Sequence, residues 1–155
     1  MISRTVEEHQ EALLTIIKNS GQFDEEGLAH VKTTLDAYFE NPAEAIWLTA
    51  IDDVPVGVAY CAPEPVTSGT WNLLMLWMKD GYEGCGFGKE LVSHVEKEIK
   101  SRHARLLIVE TSQLPGFSGA RAFYEKCGFN LEAEVKDFFA AGDNKLIYTK
   151  AVQQN

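Results

Sequence analysis

Three glycines alternate with other residues in Glu83-Gly84-Cys85-Gly86-Phe87-Gly88-Lys89, a spacing that lets a backbone pass close to a bulky ligand with no Cβ in the way. An apolar run, 71–78, precedes the segment and an amphipathic run, 91–99, follows it. A helix opening inside such a loop presents its free N–H groups, and roughly half a positive charge, to whatever lies in front of it. The chemistry this suits is the holding of a phosphate. A dinucleotide fingerprint needs Gly-x-Gly-x-x-Gly, and the third glycine is missing whether the count starts at Gly84 or at Gly86. A nucleoside-triphosphate loop needs Gly-Lys-Ser/Thr with a glycine five residues before its last one; Gly88-Lys89 is followed by Glu90, and Glu83 stands at the earlier position. The bland alternative is a glycine-rich turn between strand and helix that holds nothing.

The elements that must position this loop follow an alternating α/β order. Residues 2–4 read as a short strand, and Thr5-x-x-Glu8 as a capping box for a helix carrying Leu13, Leu14, Ile16 and Ile17. A second helix runs from about Asp24, with Leu28, Val31, Leu35, Tyr38 and Phe39 at three- and four-residue spacing, and stops before Asn41-Pro42. Runs 45–51 and 56–61, joined by Asp52-Asp53-Val54-Pro55, read as a hairpin. The run 71–78 is apolar on both faces, as a central strand would be. The helix after the glycines repeats Leu91, Val92, Val95 and Ile99 and ends among Lys100, Arg102, His103 and Arg105, charges suited to a helix C-terminus. Residues 106–109 form another buried strand, so the whole is a βαβ crossover. Beyond it, Ser118 is placed to cap a short helix that Gly128 stops, and strands at 131–139 and 146–150 flank the turn Ala141-Gly142-Asp143-Asn144.

Composition sets bounds. A length of 155 residues suits one domain, 1–155, with a full core. The formal net charge of −9 and the lack of a basic stripe argue against a nucleic-acid partner. Against that acidity Lys79, Lys89, Arg121 and Lys126 stand near the motifs, either as partners for an anion or as solvated surface. The start does not read as a signal or transit peptide and no apolar run approaches the ~18 residues of a membrane span, so a cytoplasmic protein without a membrane partner is expected. Cys61, Cys85 and Cys127 are odd in number and far apart, which suits reduced, structural thiols and no metal site.

The glycine segment resembles the pyrophosphate loop, Gln/Arg-x-x-Gly-x-Gly/Ala, of the acetyl-CoA-dependent N-acetyltransferase superfamily known as GNAT, with Glu83 in place of Gln or Arg. A second stretch, Ala120-Arg121-Ala122-Phe123-Tyr124-Glu125-Lys126-Cys127-Gly128-Phe129, is similar to that superfamily's Ala-x-x-Phe-Tyr-x-x-x-Gly-Phe signature. The resemblance runs over 45–150 and is strongest over 71–129. It implies an α/β (α+β) fold: a mixed, mainly antiparallel sheet of six to seven strands splayed into a V and flanked by about four helices. It also implies acetyl-CoA as acyl donor, held by Glu83, Gly84, Cys85, Gly86, Phe87, Gly88 and Lys89, with the pantetheine arm pairing to the backbone of Leu76, Trp77 and Met78.

A thioester carbonyl is already reactive, so such an enzyme has only to place it beside a neutral amine, steady the oxyanion and manage two protons. The resemblance gives Tyr124 the role of general acid, against a reading as a core-edge aromatic. Many members carry a glutamate as base six residues ahead of the position of Met78; here that residue is Asn72, which takes no proton near neutrality. Glu110, or a chain of waters, remains for the base, and Trp71 and Asn72 for the acceptor pocket. The acceptor is then a small-molecule or peptide amine, with a homodimer left open. A non-catalytic acetyl-CoA sensor and an interaction module of the same fold are the alternatives.

Overall fold

The computed structural model describes residues 1–152. In chain order the elements are β1 (Ile2–Arg4), α1 (Gln10–Asn19), α2 (Glu25–Glu40), β2 (Ile46–Asp52), β3 (Val54–Pro63), β4 (Thr70–Met78), α3 (Phe87–Ser101), β5 (Leu106–Ser112), α4 (Ser118–Lys126), β6 (Asn130–Ala140) and β7 (Asp143–Ala151). The strands are ordered β1-β2-β3-β4-β5-β7-β6 in one sheet. Pairing is antiparallel for β1 with β2, β2 with β3, β5 with β7 and β6 with β7, and parallel for β4 with β5. The parallel pair needs a crossover, which α3 supplies. The mixed, mainly antiparallel sheet and four α-helices expected from the resemblance are therefore present.

The chain divides into two compact units, Met1–Ala62 with Met75–Glu98, and Pro63–Leu74 with the chain from Ile99 onward. In the first, α1 and α2 bury Leu13, Ile16, Ile17, Val31, Leu35 and Tyr38 against Trp47, Val58 and Met75. The three- and four-residue spacing puts these side chains on one face of each helix, and full burial of each stabilises the fold by about 1.5–3 kcal/mol. Asp24 caps α2, its Oδ1 accepting from the Gly27 N–H at 2.7 Å. The expected capping box at Thr5 does not form. Thr5 N–H donates instead to the Trp47 carbonyl, which draws Thr5 into the sheet with its hydroxyl 2.8 Å from that of Thr49. A 3-10 turn over Glu7–His9 leads into α1, and His9 Nδ1 accepts from the Val6 N–H. The hairpin turn is also tighter than expected: strand geometry continues to Asp52 and resumes at Val54. A bulge between Ala50 and Ile51 absorbs the extra residue, and Asp53 turns the chain at φ 62°.

In the second unit β4 and β5 pair from Thr70↔Leu106 to Leu73↔Val109, and β5 pairs with β7 from Leu106↔Ala151 to Ser112↔Lys145. Two β4 residues depart from the expectation of an apolar strand buried on both sides: Asn72 is buried at 2 % exposure, and Leu74 is 50 % exposed. Ser118 is the first residue of α4 rather than its cap, because a 3-10 turn over Pro115–Phe117 already winds the chain into the helix. The β6–β7 turn narrows to Ala141-Gly142, with Gly142 at φ 82° and its N–H bonded to Asp137 Oδ1.

Candidate active site

The glycine loop has the backbone its sequence requires. Gly84 and Gly86 adopt φ 77° and 92°, and no atom lies within 4 Å of where a Cβ would stand at either. At these angles an L side chain is strained and glycine is not. α3 opens at Phe87, and the Glu90 N–H closes its first turn on the Gly86 carbonyl at 3.1 Å. Gly88 and Lys89 therefore stand in that first turn, with Lys89 exposed. The carboxylate of Glu83 folds back, its Oε2 accepting from the Gly81 N–H at 2.9 Å, so the acidic residue at the head of the motif is tied into the turn. Cys85 is exposed, unlike buried Cys61, so a packing role does not extend to it.

Behind the loop in the same unit, the end of β4 is anchored by its side chains. Met78 lies where any side chain at residue 57 would be, its Cε 2.5 Å from that position, so Gly57 makes room for it. Trp77 meets Phe23 edge to face at 6.5 Å, and Leu76 is half-buried. Lys79 N–H donates to the Val56 carbonyl.

Tyr124 lies in the second unit at 9 % exposure, with Phe123, Phe129 and Tyr148 rings at 5.5, 5.8 and 6.5 Å. Burial pushes its phenol well above the ordinary tyrosine range, with nearby Cys127 adding to the shift. The hydroxyl is thus neutral and carries its proton at physiological pH. Arg121 does not serve as a free cation: its Nη1 donates to the carbonyls of Ser112 and Leu114 at 2.8 and 3.0 Å, pinning the loop between β5 and α4. Trp71 is buried, with the Arg102 guanidinium 5.6 Å from its ring centre.

Asn72 and Glu110 are brought together with two residues that sequence reasoning missed. Asn72 Nδ2 donates to Glu64 Oε1 at 2.7 Å and to Glu110 Oε1 at 2.8 Å, and Glu110 Oε2 forms an ion pair with Lys145. Lys145 Nζ in turn sits 4.0 Å from the Phe138 ring centre. Glu64 belongs to no motif and is a loop residue just past β3, so nothing in local spacing marks it. The register separates this cluster from the tyrosine. Tyr148 pairs with Val109 and Ile147 with Glu110, so side chains at 109 and 148 share one face and Glu110 takes the other. Tyr124, against Tyr148, and the Glu64–Asn72–Glu110 cluster therefore occupy opposite faces of the sheet in this unit.

The model of the Acetyltransferase (GNAT) family matches residues 10–129. The chain belongs to the GNAT acetyltransferase family. Among solved structures, a GNAT-family protein from Desulfovibrio desulfuricans is 27 % identical, with a TM-score of 0.90 and 99 % of each chain covered. An aminoglycoside 6'-N-acetyltransferase complexed with coenzyme A superposes at a TM-score of 0.82 with 18 % identity, covering 100 % of this chain and 98 % of that one. A ribosomal-protein-alanine N-acetyltransferase from Brucella melitensis does so at 0.80 with 20 % identity, covering 97 % and 99 %. No curated protein sequence matches the chain. At such identities the last two structures speak for the fold alone.

Proposed function

We propose that this acetyltransferase moves the acetyl group of acetyl-CoA to a primary amine by direct transfer in a ternary complex, with both compact units working as one domain. The observation that carries the reading is the glycine loop, where Gly84 and Gly86 stand at positive φ just before α3 and the Glu83 carboxylate accepts from the Gly81 N–H. Main-chain N–H groups of Gly84, Cys85, Gly86, Phe87, Gly88 and Lys89 bind the pyrophosphate of the donor, and the backbone of Leu76, Trp77 and Met78 pairs with its pantetheine arm. The acceptor nitrogen attacks the thioester carbon, a C–N bond forms and the C–S bond breaks. The sulfur takes its proton from Tyr124, the nitrogen gives one up to solvent, and Tyr124 is reprotonated from solvent. Asn72 lines the acceptor side, while Trp71, one residue along β4, faces the other way beneath Arg102. That a structural neighbour was solved with coenzyme A supports the choice of donor.

Titration calorimetry with acetyl-CoA, followed by thiol release over a panel of amines, tests this. Heat of binding and acetyl-CoA-dependent release with at least one amine are expected. Heat without release from any amine would make the chain a sensor of acetyl-CoA, and no heat would remove the reading.

A further inference from the structure

Asn72 uses its one nitrogen to hold two anions, Glu64 and Glu110, while sitting inside the sheet at 2 % exposure. Charge fixes which way the amide points, since its oxygen turned toward two carboxylates would repel them. That oxygen, Oδ1, is buried with no hydrogen-bond partner among the described residues. The side chain thus leaves a buried acceptor unsatisfied to keep two like charges together, which stability alone would not favour. The two carboxylates are unequal. Lys145 matches the charge of Glu110. Glu64 has neutral partners only: its N–H donates to the Thr70 carbonyl at 2.8 Å, its carbonyl accepts from Thr67 Oγ1 at 2.9 Å, and its Oε1 accepts from Asn72. Both the loop and the strand therefore hold Glu64 in place, and no cation pairs with it among the described residues. Two residues past Asn72, on the same face of β4, Leu74 is half-exposed, and Glu64 itself is only partly buried, so the cluster lies within reach of a solute.

We propose that Glu64 is the base that takes the acceptor's proton, and that Asn72 is the positioning residue that presents it. The inference rests on the acetyltransferase reading. The bound ammonium gives one proton to the carboxylate of Glu64, directly or through one water, and Glu64 passes it to solvent; the freed nitrogen bonds to the thioester carbon and gives up its second proton by the same route. The C–S electron pair leaves on sulfur, which is protonated by Tyr124, and Tyr124 regains its proton from solvent. Acid and base act from opposite faces of the sheet. A carboxylate at residue 72 is in this way replaced by an amide that recruits one from the neighbouring loop.

The test is the pH profile of kcat/KM at saturating acetyl-CoA, for two amines of different pKa. In the unmodified protein the ascending limb should stay put between amines. Glu64→Gln should abolish it and lower kcat/KM about 100-fold or more, with calorimetric affinity for acetyl-CoA retained. Asn72→Ala should lower kcat/KM less and displace the limb. Glu64→Asp keeps a carboxylate on the loop and should retain a limb that Glu64→Gln loses; a merely structural contact would give no such difference. If Asn72→Ala does not fold, Glu64→Gln and Glu64→Asp still decide. A limb unmoved in Glu64→Gln, or one lost in Glu110→Gln alone, overturns the proposal, as does a limb that travels with the amine's own pKa. Absence of any turnover in the unmodified protein would instead remove the acetyltransferase reading beneath it.

Discussion

Tyr124 carries its proton so firmly that the size of its contribution is bounded. Burial that raises the phenol's pKa also makes a full phenolate costly, so in the proposed role of acid the hydroxyl would share its proton with the departing sulfur while C–S cleavage proceeds. Tyr124→Phe keeps the ring among Phe123, Phe129 and Tyr148 and should lower single-turnover rates by about 10- to 100-fold, at or below the lower end of the range for acid–base catalysis. Unchanged single-turnover rates would return the residue to the core. The sign of the shift also fixes pH behaviour. A tyrosine with a raised folded pKa holds its proton where the unfolded chain begins to lose it, so its stabilisation is complete below about pH 10 and is lost as pH rises further. Rates should accordingly show no fall from tyrosine ionisation below about pH 10, and thermal unfolding should shift downward only above it. Tyr124 stands out as a candidate because a motif of several residues points to it. Glu64, the base proposed above, does not, because a carboxylate held by a side chain eight positions along the sequence leaves no periodic trace, and Asn72 by itself reads as the loss of a base.

Elements whose identity rests on hydrophobic period were legible: the α1 and α2 faces, the β2–β3 hairpin and the βαβ unit all stand where 3.6- and 2-residue periods put them. Their ends were not, since the Thr5 cap, the hairpin turn and the start of α4 are each decided by hydrogen bonds to distant strands or by a neighbouring 3-10 turn. The glycine loop is the intermediate case, where residue type announced positive φ but not which glycines take it. Because Gly86 stands at φ 92° with open space around it, Gly86→Val should strain the backbone by about 1–2 kcal/mol and also put a side chain in the donor's path. Gly142, at φ 82° in the β6–β7 turn and equally open, provides the comparison. Both valine variants should lose similar thermal stability, while only Gly86→Val should weaken acetyl-CoA binding, by about tenfold or more on the binding role assigned to the loop. Equal affinities in calorimetry would mean that the loop does not hold the donor.

Across the whole molecule the formal charge of −9 acts on the two proposed substrates in opposite directions. Acetyl-CoA is an anion and meets net repulsion, offset only near exposed cations such as Lys79 and Lys89 beside the glycine loop. An amine acceptor is largely cationic in water near neutral pH and meets attraction, with Glu64 as a carboxylate that no cation pairs with among the described residues. Screening shortens the reach of both fields to about 10 Å at 0.1 M salt and about 3 Å at 1 M. Raising ionic strength should therefore lower kcat/KM measured for the amine at saturating acetyl-CoA, and raise or leave unchanged kcat/KM measured for acetyl-CoA at saturating amine. Short-range binding by backbone N–H groups is insensitive to salt, so the donor's dependence should also be the shallower of the two. Lys89→Ala should then steepen the rise for acetyl-CoA, because it removes a local attraction that offsets the global repulsion. Parallel salt slopes for donor and acceptor would show that net charge does not steer either one, and would place any preference for cationic amines in the contacts around Asn72 and Glu64 alone.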